Sequence, residues 1–360
     1  MKKLISLLCV LALAVSVLAG CGSQAAPEGN DSVTQATKNE APAETTVETT
    51  EAATAPAVAA EPVDVRVATL KGPTAIGLSY FMDQAASYTD NNYQFSIAPS
   101  ADEVVPMLVK GELDMAAIPA NLSSVVYNKT ESGVQVLGIN TLGVLYILET
   151  GDTIHSIEDL RGKTIYANGK NHTPEQVLTY LLAQNGMTIG EDVTVEWKSE
   201  AAECLTALST TENGIAMLPQ PFASAAQMKN ENLRVALNLT EEWDKVQAEA
   251  ETPSTLVTGV VIARKEFIEA HPEAVEAFMD HYRESVEYVN TKVDEAAALV
   301  EQLDIVKAPV ARKAIPACNI VFIEGAEMQT KLSGYLQVLF DQNPKSVGGA
   351  LPGEDFYFAR

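Results

Sequence analysis

Between residues 63 and 263, apolar runs of strand length alternate with stretches of helical period. The runs at 63–68, 114–118, 134–140, 144–148, 164–167, 193–197, 214–218, 234–239 and 256–263 read as strands. The stretches at 74–88, 100–110, 121–128, 174–184, 201–208 and 222–229 read as helices. Strands separated by helices at this spacing form βαβ units and a mostly parallel sheet. After residue 263 the pattern becomes helical, at 272–289, 293–302 and 326–340. The stripe Val275, Phe278, Met279, Tyr282, Val286 and Val289 has the spacing of a buried helix face. A helical end after two βαβ runs predicts a chain that re-enters its first lobe. The expected fold class is therefore α/β with two lobes, each a mostly parallel sheet flanked by helices, joined by a two-stranded hinge. Lobe one is expected at 63–147 plus 256–360 and lobe two at 148–255, with crossovers near 145–154 and 253–260.

The N-terminal region sets the compartment. Lys2 and Lys3 precede an apolar run from 4 to 19, and Leu18-Ala19-Gly20-Cys21 follows. A basic start, a short apolar core and small residues before a break make a signal peptide over 1–20. The run is too short for a spanning helix, which needs roughly 20 apolar residues. The L-A-G-C ending resembles the lipobox of bacterial lipoproteins. That implies cleavage before Cys21, lipidation of its thiol and an extracytoplasmic, membrane-anchored protein. Residues 22–62 are rich in Ala, Thr, Glu and Pro, with no aromatic residue and one lysine against seven acids. Such a segment buries too little apolar area to offset its ordering entropy. It reads as a tether, with a coil length of roughly 35 Å.

The chain carries a formal charge of −24; the leader holds +2 and the tether −6, leaving −20 on residues 63–360. A surface that acidic argues against nucleic acid. Cys204 and Cys318 have no C-x-x-C spacing and read as two buried free thiols. The four histidines, His155, His172, His271 and His281, form no H-E-x-x-H or other ligand cluster, so no metal is expected. No G-x-S-x-G elbow, Walker loop or G-x-G-x-x-G is present, so neither catalytic residues nor a cofactor is expected.

In open α/β sheets ligands gather where strand ends open into helices. Lys71-Gly-Pro-Thr74 follows the first strand, Pro119-Ala-Asn121 follows 118, and Thr141 stands near the hinge. Lys170-Asn-His-Thr173 follows the strand at 164–167, and Pro219-Gln-Pro221 follows 218. Thr173, Pro174 and Gln176 together form a T-x-x-Q capping box. The predicted ligand contacts are Lys71, Thr74, Asn121, Thr141, Lys170, Asn171, His172, Thr173 and Gln220. Helix N-termini carry roughly half a positive charge each. Convergent N-termini favour an anionic or oxygen-rich ligand, and no motif aims a carboxylate at the cleft.

Several stretches are similar to the substrate-binding lipoproteins of bacterial ABC importers, within the nitrate, sulfonate, taurine and thiamine-precursor group. They are residues 67–74, 108–118, 156–165, 169–181, 214–222, 261–264 and 267–273, in the order that group shows. The resemblance implies the type II periplasmic binding fold, closure of two lobes on a small solute, and delivery to a membrane permease by a monomer. Two alternatives remain open. Biosynthetic enzymes of menaquinone and thiamine-precursor synthesis share this fold, and such a reading needs a titratable group in the cleft, with His172 or Cys204 as candidates. A tethered ligand sensor is the other.

Overall fold

The computed structural model describes residues 61–250 and 253–360. The expectations for the leader, Cys21 and most of the tether lie outside the described residues. Among the described residues, eleven strands form two sheets. In chain order they are β1 (Val63–Leu70), β2 (Asn91–Ala98), β3 (Met115–Pro119), β4 (Val134–Leu142), β5 (Leu145–Glu149) and β6 (Thr164–Asn168). There follow β7 (Thr194–Lys198), β8 (Ile215–Pro219), β9 (Arg234–Asn238), β10 (Val257–Arg264) and β11 (Ile320–Ile323). The first sheet has the order β11-β4-β10-β3-β1-β2, the second β7-β6-β8-β5-β9.

Both sheets are mixed. The βαβ strands pair in parallel as expected, β2 and β3 with β1, and β7 and β8 with β6. The strands flanking the passages between sheets pair antiparallel, β10 with β3 and β4, and β5 with β8 and β9. A chain that leaves one sheet for another and later returns must reverse direction at those strands. The outward passage falls between Leu142 and Leu145, just ahead of the expected 147/148 boundary. Gly143 stands in it, and a Cβ there would lie 2.1 Å from Thr240 Oγ1 and 2.8 Å from Leu256 Cδ2. Only glycine lets the crossing chain pass that close.

The apolar strands β3 and β10 sit in the middle of the first sheet and are almost wholly buried. The helix Pro272–Thr291 covers one face with the stripe read from the sequence, Val275 to Val289. Each such side chain contributes about 2 kcal/mol by leaving water. The helix expected over 74–88 is broken into Pro73–Gly77, Ser79–Gln84 and a 3-10 turn at Ala85–Ser87. The cause is Ser285. Its buried hydroxyl donates to Gly77 O at 2.8 Å and accepts from Phe81 N–H at 3.0 Å, replacing the i→i−4 bond between them. Five further strands and α-helices go beyond the sequence reading: β2, β11 and the helices Leu239–Gln247, Lys265–Ala270 and Ala308–Ala314. The alternation of Tyr93, Phe95 and Ile97 was a usable signal for β2.

Contacts beyond the two passages tie the sheets together. Trp243 is fully buried, with its ring centroid 4.6 Å from Tyr180 and 5.7 Å from Tyr335 of the helix Gly325–Gln342. The Thr173 hydroxyl donates to Asn121 Oδ1 at 3.1 Å, with both residues buried. Asn121 is held in turn by its Nδ2 donating to Ser346 O at 3.1 Å. On the other flank Tyr146 OH donates to Ala317 O at 3.0 Å.

Two buried carboxylates anchor the ends of the sheets away from the crossings. Asp114, 2 % exposed, accepts from Arg66 at 2.7 and 2.8 Å and from Arg264 at 3.1 Å. Glu149 accepts from the amides of Thr153 and Ile154 and pairs with Arg234. Burial by itself pushes both carboxyls up, but these hydrogen bonds outweigh it and hold both pKa values below the ordinary range. Groups with depressed pKa values stabilise the fold fully above about pH 4.5 and lose that contribution as pH falls below it.

Two outcomes follow. Urea denaturation at stepped pH should show stability falling steeply below about pH 4.5, with Asp114→Asn about 3 kcal/mol less stable at pH 7 and less sensitive to acid. Thr173→Val removes the donor that bridges the lobes and leaves Asn121 Oδ1 unpaired; it should cost about 1–3 kcal/mol in the same measurement, while Thr173→Ser stays near the parent.

Candidate functional site

A cleft of about 470 Å³ opens between the two sheets, at the carboxyl ends of their parallel strands. From the first sheet it is lined by Leu70 to Thr74 after β1, Pro119 at the end of β3, and Thr141 in β4. Thr258 and Gly259 also line it, because β10 runs antiparallel and presents its start to the same side. From the second sheet come Asn168 at the end of β6, Ser199 to Ala202 after β7, and Pro219 to Phe222 after β8. The strand-end rule holds at β1, β3, β6, β7 and β8, while Thr258 and Gly259 reach the cleft from the start of β10.

Of the predicted contacts, the structure brings Lys71, Thr74, Thr141 and Gln220 to the cleft. Thr74 uses its hydroxyl locally, donating to Leu70 O at 2.9 Å and fixing the turn after β1. It lies inside the short helix Pro73–Gly77, whose N-cap is Gly72. Gln220 is buried and caps the helix Phe222–Lys229 by accepting from Ser224 N–H at 3.2 Å. Lys71 pairs with Asp304 at 3.6 Å, with both side chains exposed.

The segment 169–173 is placed differently. Lys170, Asn171 and His172 are exposed and do not line the cleft. Lys170 therefore does not share the cleft with Lys71. Asn171 adopts a left-handed φ of 65° and donates its amide to the Glu175 carboxylate at 2.5 Å. The His172 amide bonds to Gly169 O at 3.1 Å. The N-cap is His172, not Thr173, and the Thr173 hydroxyl goes to Asn121 instead of capping. The donors in front of this helix thus serve their own loop and the other lobe.

The loop after β7, which carries the same strand-to-helix signal, lines the cleft beyond the predicted set. Glu200 there is exposed, lines the cleft and stands at the N-cap of the helix Ala201–Thr210. It corrects the expectation that no carboxylate faces this space. The Glu203 amide donates to Glu200 O at 3.2 Å, while Ala201 and Ala202, whose first-turn N–H groups have no intrahelical acceptor, border the cleft. Deeper, where β4 pairs with β10, the hydroxyls of Thr141 and Thr258 and both amide atoms of Asn140 are buried without a hydrogen-bond partner. A Cβ on Gly259 would lie 2.5 Å from Asn140 Oδ1, so this floor is packed against bare backbone. Among the described residues such atoms also occur elsewhere, and those of Thr141 and Thr258 belong to residues that line the cleft.

Cys204 lies buried behind this loop and Cys318 in the core of the first lobe, both unbridged. Burial pushes their thiols up, to about 11 and about 12, so both stay protonated at neutral pH.

The fold has solved relatives. An ABC transporter protein from Parabacteroides distasonis superposes with a TM-score of 0.69 at 22% identity, over 84% of this chain and 100% of that one. The periplasmic aliphatic sulphonate binding protein SsuA from Escherichia coli gives 0.67 at 16% identity, over 83% and 93%. The alkanesulfonate-binding protein SsuA from Xanthomonas axonopodis pv. citri, bound to MOPS, gives 0.61 at 15% identity, over 82% and 96%. These likenesses establish the periplasmic binding protein fold. No functionally curated protein matches the chain. The sequence profile described as NMT1/THI5 like matches residues 88–296. That span is more than half of the chain and reaches from β2 past the helix Pro272–Thr291, and the protein belongs to the NMT1/THI5-like family.

Proposed function

We propose that this protein is the solute-binding component of an ABC importer, held outside the cytoplasmic membrane by lipid on Cys21. The observation that carries the reading is the cleft itself. It collects strand ends from two sheets that the chain joins between β4 and β5 and between β9 and β10. Two bodies so joined can hinge, and a solute touching both favours the closed arrangement. A volume of about 470 Å³ suits a small organic molecule. Lys71, Thr74 and Thr141 on one side and Gln220 on the other are the contacts proposed from the predicted set. Asn121 and Thr173 act on the site by holding the lobes in register. The sheet division supports lobe one as 63–142 with 257–360 and lobe two as 145–238. The tether keeps the domain close to a permease and raises its effective concentration there.

A catalytic reading finds less support. Neither histidine nor cysteine lines the cleft, His172 is exposed outside it, and Cys204 is buried with a raised pKa. A sensor would use the same cleft, and only association with a permease separates it from a carrier.

The mature chain purified from its native membranes should release a small organic solute on denaturation, identified by mass spectrometry. Adding that solute back should shrink the scattering radius, and Thr141→Val should weaken its binding about tenfold. Palmitate labelling should be present in the parent and lost in Cys21→Ser. Absence of any retained or re-bound solute counts against the carrier; label retained in Cys21→Ser counts against the anchor.

A further inference from the structure

The cleft is lined by two formally charged side chains, one from each lobe. Lys71 follows β1 and Glu200 follows β7. The Lys71–Asp304 pair is solvent-exposed, with side chains 46% and 97% accessible, and such pairs exchange readily. Glu200 makes no capping bond to the helix that it opens, and among the described residues no cation pairs with it. Neither arginine nor histidine lines the cleft. The walls are stiff and apolar: Pro73, Pro99, Pro119, Pro219, Pro221 and Phe222. The floor holds the unpartnered hydroxyls of Thr141 and Thr258, the former in a residue with no exposed surface.

Closing the lobes takes water from all of these groups. A carboxylate that loses water without gaining a partner is strongly unfavourable. A simple sulfonate, carboxylate or phosphate suits Lys71 and the first-turn amides of Ala201–Thr210, yet it faces Glu200 with like charge. A simple cation suits Glu200 and repels Lys71. Resting on the carrier reading, we propose that the cleft selects a net-neutral polar organic solute. Its ammonium or other N–H donor meets Glu200, and its oxygen acceptors meet Lys71 and the Thr141–Thr258 floor. Glu200 is the residue that rejects simple anions. The assignment separates this chain from the sulfonate specificity in the names of the two SsuA proteins.

The test is isothermal titration calorimetry on the full mature chain with matched probes that differ at one group. The pairs are propionate and β-alanine, propanesulfonate and 3-aminopropanesulfonate, and benzoate and benzamide. The net-neutral member should bind at least about tenfold more tightly in the pairs that bind. In Glu200→Gln that ratio should fall to about threefold or less, because the anionic member gains and the N–H-bearing member loses. The thermal midpoint of the unliganded variant should match the parent, since Glu200 is exposed and caps nothing. Tighter binding of the anionic members, a ratio unchanged in Glu200→Gln, or no binding by any net-neutral probe overturns the proposal. The first two leave the carrier reading standing. If the mature chain also retains no solute from its membranes, the carrier reading falls with it.

Discussion

The structure depends on a crossing that only a glycine can make. At Gly143 the chain leaves the first sheet between Thr240 and Leu256, with no room for a side chain. Asn319 Nδ2 donates to Gly143 O at 2.5 Å and fixes the carbonyl on its other side. Because the chain turns there, β4 and β5 end up in different sheets although two residues separate them. Because it must return, β10 runs antiparallel and brings Thr258 and Gly259 to the same edge as the ends of β1 and β3. The cleft is a geometric consequence of that double passage.

The polar chemistry divides by location. Away from the cleft, the buried carboxylates are matched, Asp114 by Arg66 and Arg264 and Glu149 by Arg234 and two amides. Those clusters hold sheet ends in place. At the cleft floor Thr141 and Thr258 keep buried hydroxyls unpaired. Those hydroxyls, beside a carboxylate and an ammonium from opposite lobes, support the proposed binding site.

The Asn121–Thr173 bond shows how a sound rule can misplace a residue. Both positions stand at helix openings after strands, which made each a reasonable ligand contact. The helices are close enough that the two side chains meet each other at 3.1 Å. The amide of Asn171 met its partner within one helical turn, at Glu175. That local pairing was legible as an i, i+4 spacing and went unread. The 52-residue separation of Asn121 and Thr173 left no such trace.

The alternation of strands and helices, the division into two sheets, the apolar stripe of the helix Pro272–Thr291 and all but one of the strand ends that border the cleft are legible in the amino-acid order. These are set by side-chain periodicity and turn chemistry over a few residues, which a linear reading sees. Only the tertiary structure decided which donors remain open, that Ser285 splits the first helix from 208 residues away, and that Glu200 rather than the 169–173 loop faces the cleft. Each of those outcomes depends on which distant surface arrives at hydrogen-bond distance, and that is fixed by how the layers pack, not by local pattern.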